Sequence, residues 1–136
     1  MMTAADPIAG AQHAFQYPME YARNRVAFGQ PISQFQVIKH KLVDMGTKIA
    51  AVQALVYQTA KQWDEGAYPV REISQSKLPA TQVACEVADE AIQILGGHGY
   101  MSEFPVERAW RDARLARIGA GTDEIMKEII AKTYGL

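Results

Sequence analysis

One cysteine, Cys85, in 136 residues excludes an internal disulfide and any cysteine-rich metal cluster. The three histidines, His13, His40 and His98, lie too far apart to show the spacing of metal ligands. No stretch approaches the roughly 20 apolar residues needed to span a bilayer, so membrane insertion is not expected. Neither sign of charge is in excess. The 14 basic and 15 acidic residues leave a net charge of -1, which gives no footprint for nucleic acid or an anionic membrane. A phosphate-bearing ligand would therefore have to be held by a few placed groups. Met1-Met2-Thr3-Ala4 lacks the basic and apolar regions of a signal peptide and the arginines of a transit peptide. The expected location is the bacterial cytoplasm or, in a eukaryote, the mitochondrial matrix, and a single cysteine is compatible with either reducing compartment.

What is present is a globular balance, 49% apolar and 21% charged, at a length that fits one domain, 1–136. Ile38, Leu42, Met45, Ile49, Val52, Leu55 and Val56 recur at three- and four-residue steps, predicting a long amphipathic helix over about 32 to 64 with Ser33 as N-cap. Ile73, Val83, Val87, Ala91, Ile94 and Leu95 predict a second over about 71 to 95, with a kink near Lys77 because Pro79 sits inside it. An alanine-rich segment at about 4 to 25 reads as helix despite Pro18. Shorter pieces follow at about 105 to 116 and from Thr122 onward. No segment alternates with period two. The fold class expected is all-α, an up-and-down bundle of long helices with shorter closing ones.

Three segments have spacings that packing alone does not demand. Arg25-Val26-Ala27-Phe28-Gly29, followed by Phe35-Gln36, sets a fixed positive charge at one helix end and a glutamine at the start of the next. Arginine can hold a phosphate through its planar fork and glutamine can pair with a ribose or adenine edge. It can equally be a helix-terminal arginine meeting the dipole before a glycine stop. In Gln93-Ile94-Leu95-Gly96-Gly97-His98-Gly99-Tyr100, three glycines in four residues permit close approach of a ligand or of another backbone. They also suit a plain connection after a helix C-cap. Ile118-Gly119-Ala120-Gly121-Thr122-Asp123-Glu124-Ile125 runs a small-residue turn into a helix start, where free N–H groups can meet a carbonyl, a phosphate or a flavin edge. Thr122 fits an N-cap there, with or without a ligand.

In this order, R-V-A-F-G-Q-P-I-S-Q-F-Q, Q-I-L-G-G-H-G-Y, E-F-P-V-E-R-A-W-R-D-A-R and I-G-A-G-T-D-E-I resemble the C-terminal domain of the acyl-CoA dehydrogenases, from about Ala5 to Tyr134. The resemblance implies a four-helix bundle that works with an N-terminal helical and a middle β-domain of the same enzyme. It also implies a homo-oligomer, dimer or tetramer, with FAD between subunits. By position, Arg25 matches the arginine that reaches the FAD pyrophosphate across the subunit interface, with Phe28 and Gln36 beside the cofactor. Gln93, Ile94, Leu95, Gly96 and Gly97 match the segment on the adenosine side. Thr122 and Glu124 match the turn at the flavin, and Ala120 and Gly121 fall at the acyl-CoA thioester. The family reaction is α,β-dehydrogenation of acyl-CoA, begun by a glutamate base, with the flavin usually reoxidised by an electron-transferring flavoprotein.

Many members carry that glutamate just before the Gly-Thr pair, where this sequence has Ala120. Isovaleryl- and long-chain-type enzymes carry it on the first helix of the domain, at a position that aligns just ahead of Met1. Gly119-Ala120 also resembles the isovaleryl type. Glu20 lies several turns too far along the first helical segment to take that place. The resemblance thus implies a fragment of a longer enzyme with no catalytic base of its own and no activity in isolation. Two other readings stand beside it: a non-catalytic helical oligomerisation module, and a relative of the acyl-CoA oxidases and flavin monooxygenases that share this bundle.

Overall fold

The computed structural model describes residues 2–136; the expected domain limits, 1–136, include Met1, which lies outside the described residues. Three long helices form the body: α1 (Met2–Asn24), α2 (Gln36–Asp64) and α3 (Val70–Leu95). A single turn, α4 (Gly97–Tyr100), leads to α5 (Pro105–Ala116) and α6 (Asp123–Thr133). The all-α expectation holds, with α3 in contact with every other helix.

The buried positions follow the helical period. On α1 they are Ala4, Ile8, Ala11, Ala14, Pro18 and Ala22, spaced by three or four, so one face consists almost wholly of methyl-sized groups. Ala4, Ile8, Ala11 and Ala14 of that face form one continuous core with Ala80, Ala84, Val87 and Ala91 of α3. Burial of this stripe carries α1 through Pro7 and Pro18 without a break, although each proline removes one backbone hydrogen bond. α2 adds Met45, Ile49, Val52, Val56 and the hydroxyl-bearing Thr59, which donates to the carbonyl of Leu55 at 2.9 Å. Lys41 pairs with Glu90, and Lys48 with Glu86 at 2.7 Å, which sets α2 antiparallel to α3. Pairs this exposed each contribute about 0–1 kcal/mol, so they set register more than stability.

Two local expectations are corrected. Ser33 is not the N-cap of α2: it sits in a 3-10 turn, Ile32–Gln34, and Phe35 in extended conformation takes the cap position without a side-chain bond. The preorganised Pro31 starts that turn, whose last bond runs from the Phe35 N–H to the Ile32 carbonyl at 3.1 Å. The sequence between α1 and α2 is not strand-free. Val26–Ala27 (β1) pairs antiparallel with Gln30–Pro31 (β2), a ladder too short to show a period of two. Pro79 does not break α3, which runs from Val70 to Leu95 as the sequence leads one to expect. The Thr81 hydroxyl bonds to the carbonyls of Lys77 and Leu78 at 3.2 and 3.1 Å, one turn away, within the stretch the proline perturbs.

Burial predicts sharply different outcomes for two positions on one helix. Ile49→Ala, at 5% exposure, should lower unfolding free energy by about 2–5 kcal/mol in a denaturant titration. Val43→Ala, at 64% exposure, should change it by less than about 0.5 kcal/mol.

Candidate functional site

The first candidate segment is a hairpin at the end of α1. A two-residue hairpin turn of type I′ needs positive φ at both central positions, and Phe28 and Gly29 have φ of +52° and +82°. Glycine adopts this freely, whereas for Phe28 it costs roughly 1–2 kcal/mol. The Phe28 ring is 95% exposed, touching Phe35 edge to face at 6.1 Å. A strained, uncovered aromatic is poor for folding and suited to meeting another molecule. Arg25 is anchored through its backbone: its N–H donates to Tyr21 and its carbonyl accepts from Ile32, each at 2.8 Å. Its guanidinium is exposed and has no carboxylate within ion-pair distance among the described residues. Gln36, the first residue of α2, is exposed.

The second segment closes α3. Gln93, Gly96 and Gly97 are exposed, but Ile94 and Leu95 are 7% and 5% exposed and packed in the core. Within this segment only the Gln93 side chain and the backbone around Gly96-Gly97 are open to a ligand. The glycines have separate reasons. Gly96 has φ +62° and ψ −135°, a region essentially closed to other residues. Gly99 is buried, and a Cβ there would lie 2.8 Å from the Ile92 Cα, backbone against backbone. Gly97 shows neither constraint. The first two segments share one end of the bundle, since the His98 ring lies 5.9 Å from Tyr21, one turn before Arg25.

The third segment, between α5 and α6, lies elsewhere. It is held by Lys77, sixteen residues before Gln93, or about 24 Å along α3. Ala120 and Gly121 have φ of +52° and +98°, so Ala120 is the second non-glycine residue in the left-handed region. A Cβ on Gly121 would come within 2.6 Å of the Met126 side chain. Thr122 is the N-cap, as its place in the sequence suggested, its hydroxyl accepting from the Ile125 N–H at 3.4 Å. Glu124 is exposed, and its carboxyl is held below the usual range by its own backbone N–H and the Thr122 hydroxyl.

Behind this turn lies a charged cluster that the sequence reading missed. The Lys77 ammonium, 2% exposed, donates to the carbonyl of Gly119 at 3.0 Å and to that of Gly121. Asp123, 4% exposed, accepts from the Nε and Nη2 of Arg117 at 2.8 and 2.5 Å and from Gln82 at 3.2 Å. Its other oxygen, Oδ1, has no partner among the described residues. Burial alone would raise the Asp123 carboxyl, but bonds from Arg117 and Gln82 leave it below its ordinary range. Burial lowers the Lys77 ammonium, opposed by the nearby Asp123 charge. Lys77 escapes a pattern search because it occupies a core position of α3, where a charged side chain breaks the apolar stripe. Asp6 also went unremarked. This second acid on α1 lines a groove of about 380 Å³ between α1 and α5, floored largely by alanines.

Among the described residues no group of histidine, cysteine and carboxylate side chains is placed to hold a metal, and no helix is long and apolar enough to cross a membrane. The sequence matches the family described as "Acyl-CoA dehydrogenase, C-terminal domain" over residues 1–135. It is 41% identical over 132 residues to a mitochondrial isovaleryl-CoA dehydrogenase of Oryza sativa, covering 97% of this chain and 32% of that one. Butyryl-CoA dehydrogenase from Megasphaera elsdenii superposes with a TM-score of 0.96 at 37% identity, over 98% of this chain and 35% of that one. A structure described as an FAD complex of PigA superposes at 0.93 and 31% identity, over 98% and 35%. The chain thus spans about a third of the length of the relatives it matches.

The glycines and the aspartate give two tests. Gly99→Ala should cost about 1–3 kcal/mol, because the clash is with backbone that cannot yield, while Gly97→Ala should stay within about 0.5 kcal/mol. Because the folded Asp123 carboxyl lies below its ordinary 3.8, the stability it contributes is present above that value and is lost as pH falls through the folded one. Asp123→Asn should therefore be less stable than wild type by about 1–3 kcal/mol at neutral pH, with the gap closing below about pH 4. A pH-independent gap in urea titrations would assign the effect to packing instead.

Proposed function

Because the chain belongs to the acyl-CoA dehydrogenase family as its C-terminal domain, we propose that residues 1–136 are the cofactor- and thioester-contacting bundle of a larger FAD-dependent enzyme. FAD, when bound, supplies the hydride acceptor for α,β-dehydrogenation of an acyl-CoA. The observation that carries this reading is the state of the matching residues. The Arg25 guanidinium stands exposed at a strained hairpin with no ion-pair partner among the described residues, and Ala120-Gly121 is held in a left-handed path from behind. Such features cost stability and gain nothing in the bundle alone.

Arg25 would hold the pyrophosphate through its fork, with charge-assisted bonds that a lysine could not make in pairs. Phe28 and Gln36 would lie against the same cofactor. Gln93 and the Gly96-Gly97 backbone would take the adenosine side, with Ile94 and Leu95 fixing that segment from within the core. Thr122 and Glu124 would meet the flavin, and Ala120 and Gly121 the acyl thioester. The separation of about 24 Å along α3 between the second and third segments suits a cofactor shared between copies: the turn of one serves the flavin while the hairpin of another serves the pyrophosphate. A homodimer or homotetramer is the assembly this arrangement asks for, and an electron-transferring flavoprotein is the proposed oxidant of the reduced enzyme.

Ala120 can accept no proton, so this position orients the substrate and does not deprotonate it. A carboxylate base is sought in the coding sequence ahead of Met1, where the α1 alignment expects it. The test is expression of the gene with its flanking coding sequence, followed by flavin absorbance and titration with isovaleryl-CoA and butyryl-CoA. Bound FAD that bleaches with either thioester is the expected outcome, and Arg25→Ala should lower FAD occupancy by about tenfold or more. A stable, flavin-free oligomer would instead identify a helical assembly module. Rapid reoxidation by oxygen would move the protein to the oxidase or monooxygenase side of the family.

A further inference from the structure

Lys77 has no role in the reading above, yet it is the most costly side chain in the molecule to bury. Its ammonium is 2% exposed, and its hydrogen-bond acceptors are main-chain oxygens of the turn, those of Gly119 and Gly121. Every described peptide bond is trans. In a trans peptide the N–H points opposite to the C=O of the same unit. Drawing the Gly119 carbonyl inward therefore sends the Ala120 N–H away from Lys77, and drawing in the Gly121 carbonyl does the same for the Thr122 N–H. The residue between them, Ala120, is held at φ +52°, a conformation its own side chain disfavours. Arg117 and Asp123 close the same turn from its two ends, at 2.5 Å. With Lys77 they leave one net positive charge directly behind the outward donors.

We infer that Lys77 is a positioning residue for the dehydrogenation: by holding two carbonyls inward, it fixes the Ala120 and Thr122 N–H groups as an outward pair of donors for the acyl thioester and the flavin. The inference rests on the assignment of this turn to those ligands. The donors are preorganised because their partners on the inner side are already satisfied, and the positive charge behind them favours negative charge developing in front.

Two measurements test it separately. In the isotope-labelled full chain, Lys77→Met should stay folded by thermal melt while the backbone resonances of Ala120 and Gly121 leave the left-handed pattern; Lys77→Arg should restore part of it. Unchanged Ala120 resonances in the methionine variant overturn the inference. If that variant unfolds, Lys77→Gln carries the comparison, since it removes the charge and keeps an N–H donor. In the flavin-bearing protein made from the gene with its flanking sequence, Lys77→Met should lower kcat by about tenfold to a hundredfold while FAD content and acyl-CoA KM stay within about twofold, and Lys77→Arg should recover part of the rate. Loss of activity in proportion to loss of FAD would make Lys77 a structural brace only and overturn the inference. A wild-type protein without flavin would overturn the assignment of the turn, and the Ala120 resonances would then decide alone whether Lys77 sets its geometry.

Discussion

The close approach of α1 and α3 is the constraint on which the rest of the molecule depends. Alanines on both helices, with little else between them, let two backbones of more than twenty residues lie side by side. Methyl groups lose almost no side-chain entropy on burial, so the contact is cheap to order even though each contributes little area. Seated there, α3 can present a different face to every other helix: glutamates toward α2, Cys85 toward the α5 carbonyl of Ala113, Gln82 toward Asp123, Lys77 toward the turn. Enlarging any of those alanines would move α3, and with it all of these contacts.

Most of the fold was legible because the apolar period of each long helix is unambiguous and each ends in glycine, proline or a change of composition. What was not legible lies where the main chain rules. The 25–32 hairpin is too short for its period to register, and the start of α2 was misread because a serine is a good cap in isolation while Pro31 sets a 3-10 turn in context. Exposed members of the candidate site such as Arg25, Phe28, Gln36, Gln93 and Glu124 could be named from motifs. Ile94 and Leu95 belong to the same motif but are packed inward. A run of matching letters does not say which side chains face out, whereas the helical period does.

The charged cluster was hidden for a related reason. A lysine on a core stripe reads as a blemish in an amphipathic pattern, and its meaning appears only when α3 and the α5–α6 turn are seen together. The cost of burying Lys77 is met by two carbonyls and by the Asp123 charge, which is held ionised by Arg117 and Gln82. Of the three charges, Asp123 depends most on its partner, since without Arg117 its buried carboxylate would keep only the bond from Gln82.

Because Lys77 grips main-chain oxygens only, its hold on the turn uses no side chain at position 120. That gives the architecture an evolutionary degree of freedom. On the proposed assignment of the turn, the residue there can change from a proton acceptor to a methyl group while the N–H groups around it keep their aim, so the acid-base function can migrate to a neighbouring helix without dismantling the place where substrate is held. A lineage could pass through both arrangements, and pocket size at the turn could be tuned by selection on one codon while the backbone stayed as it was.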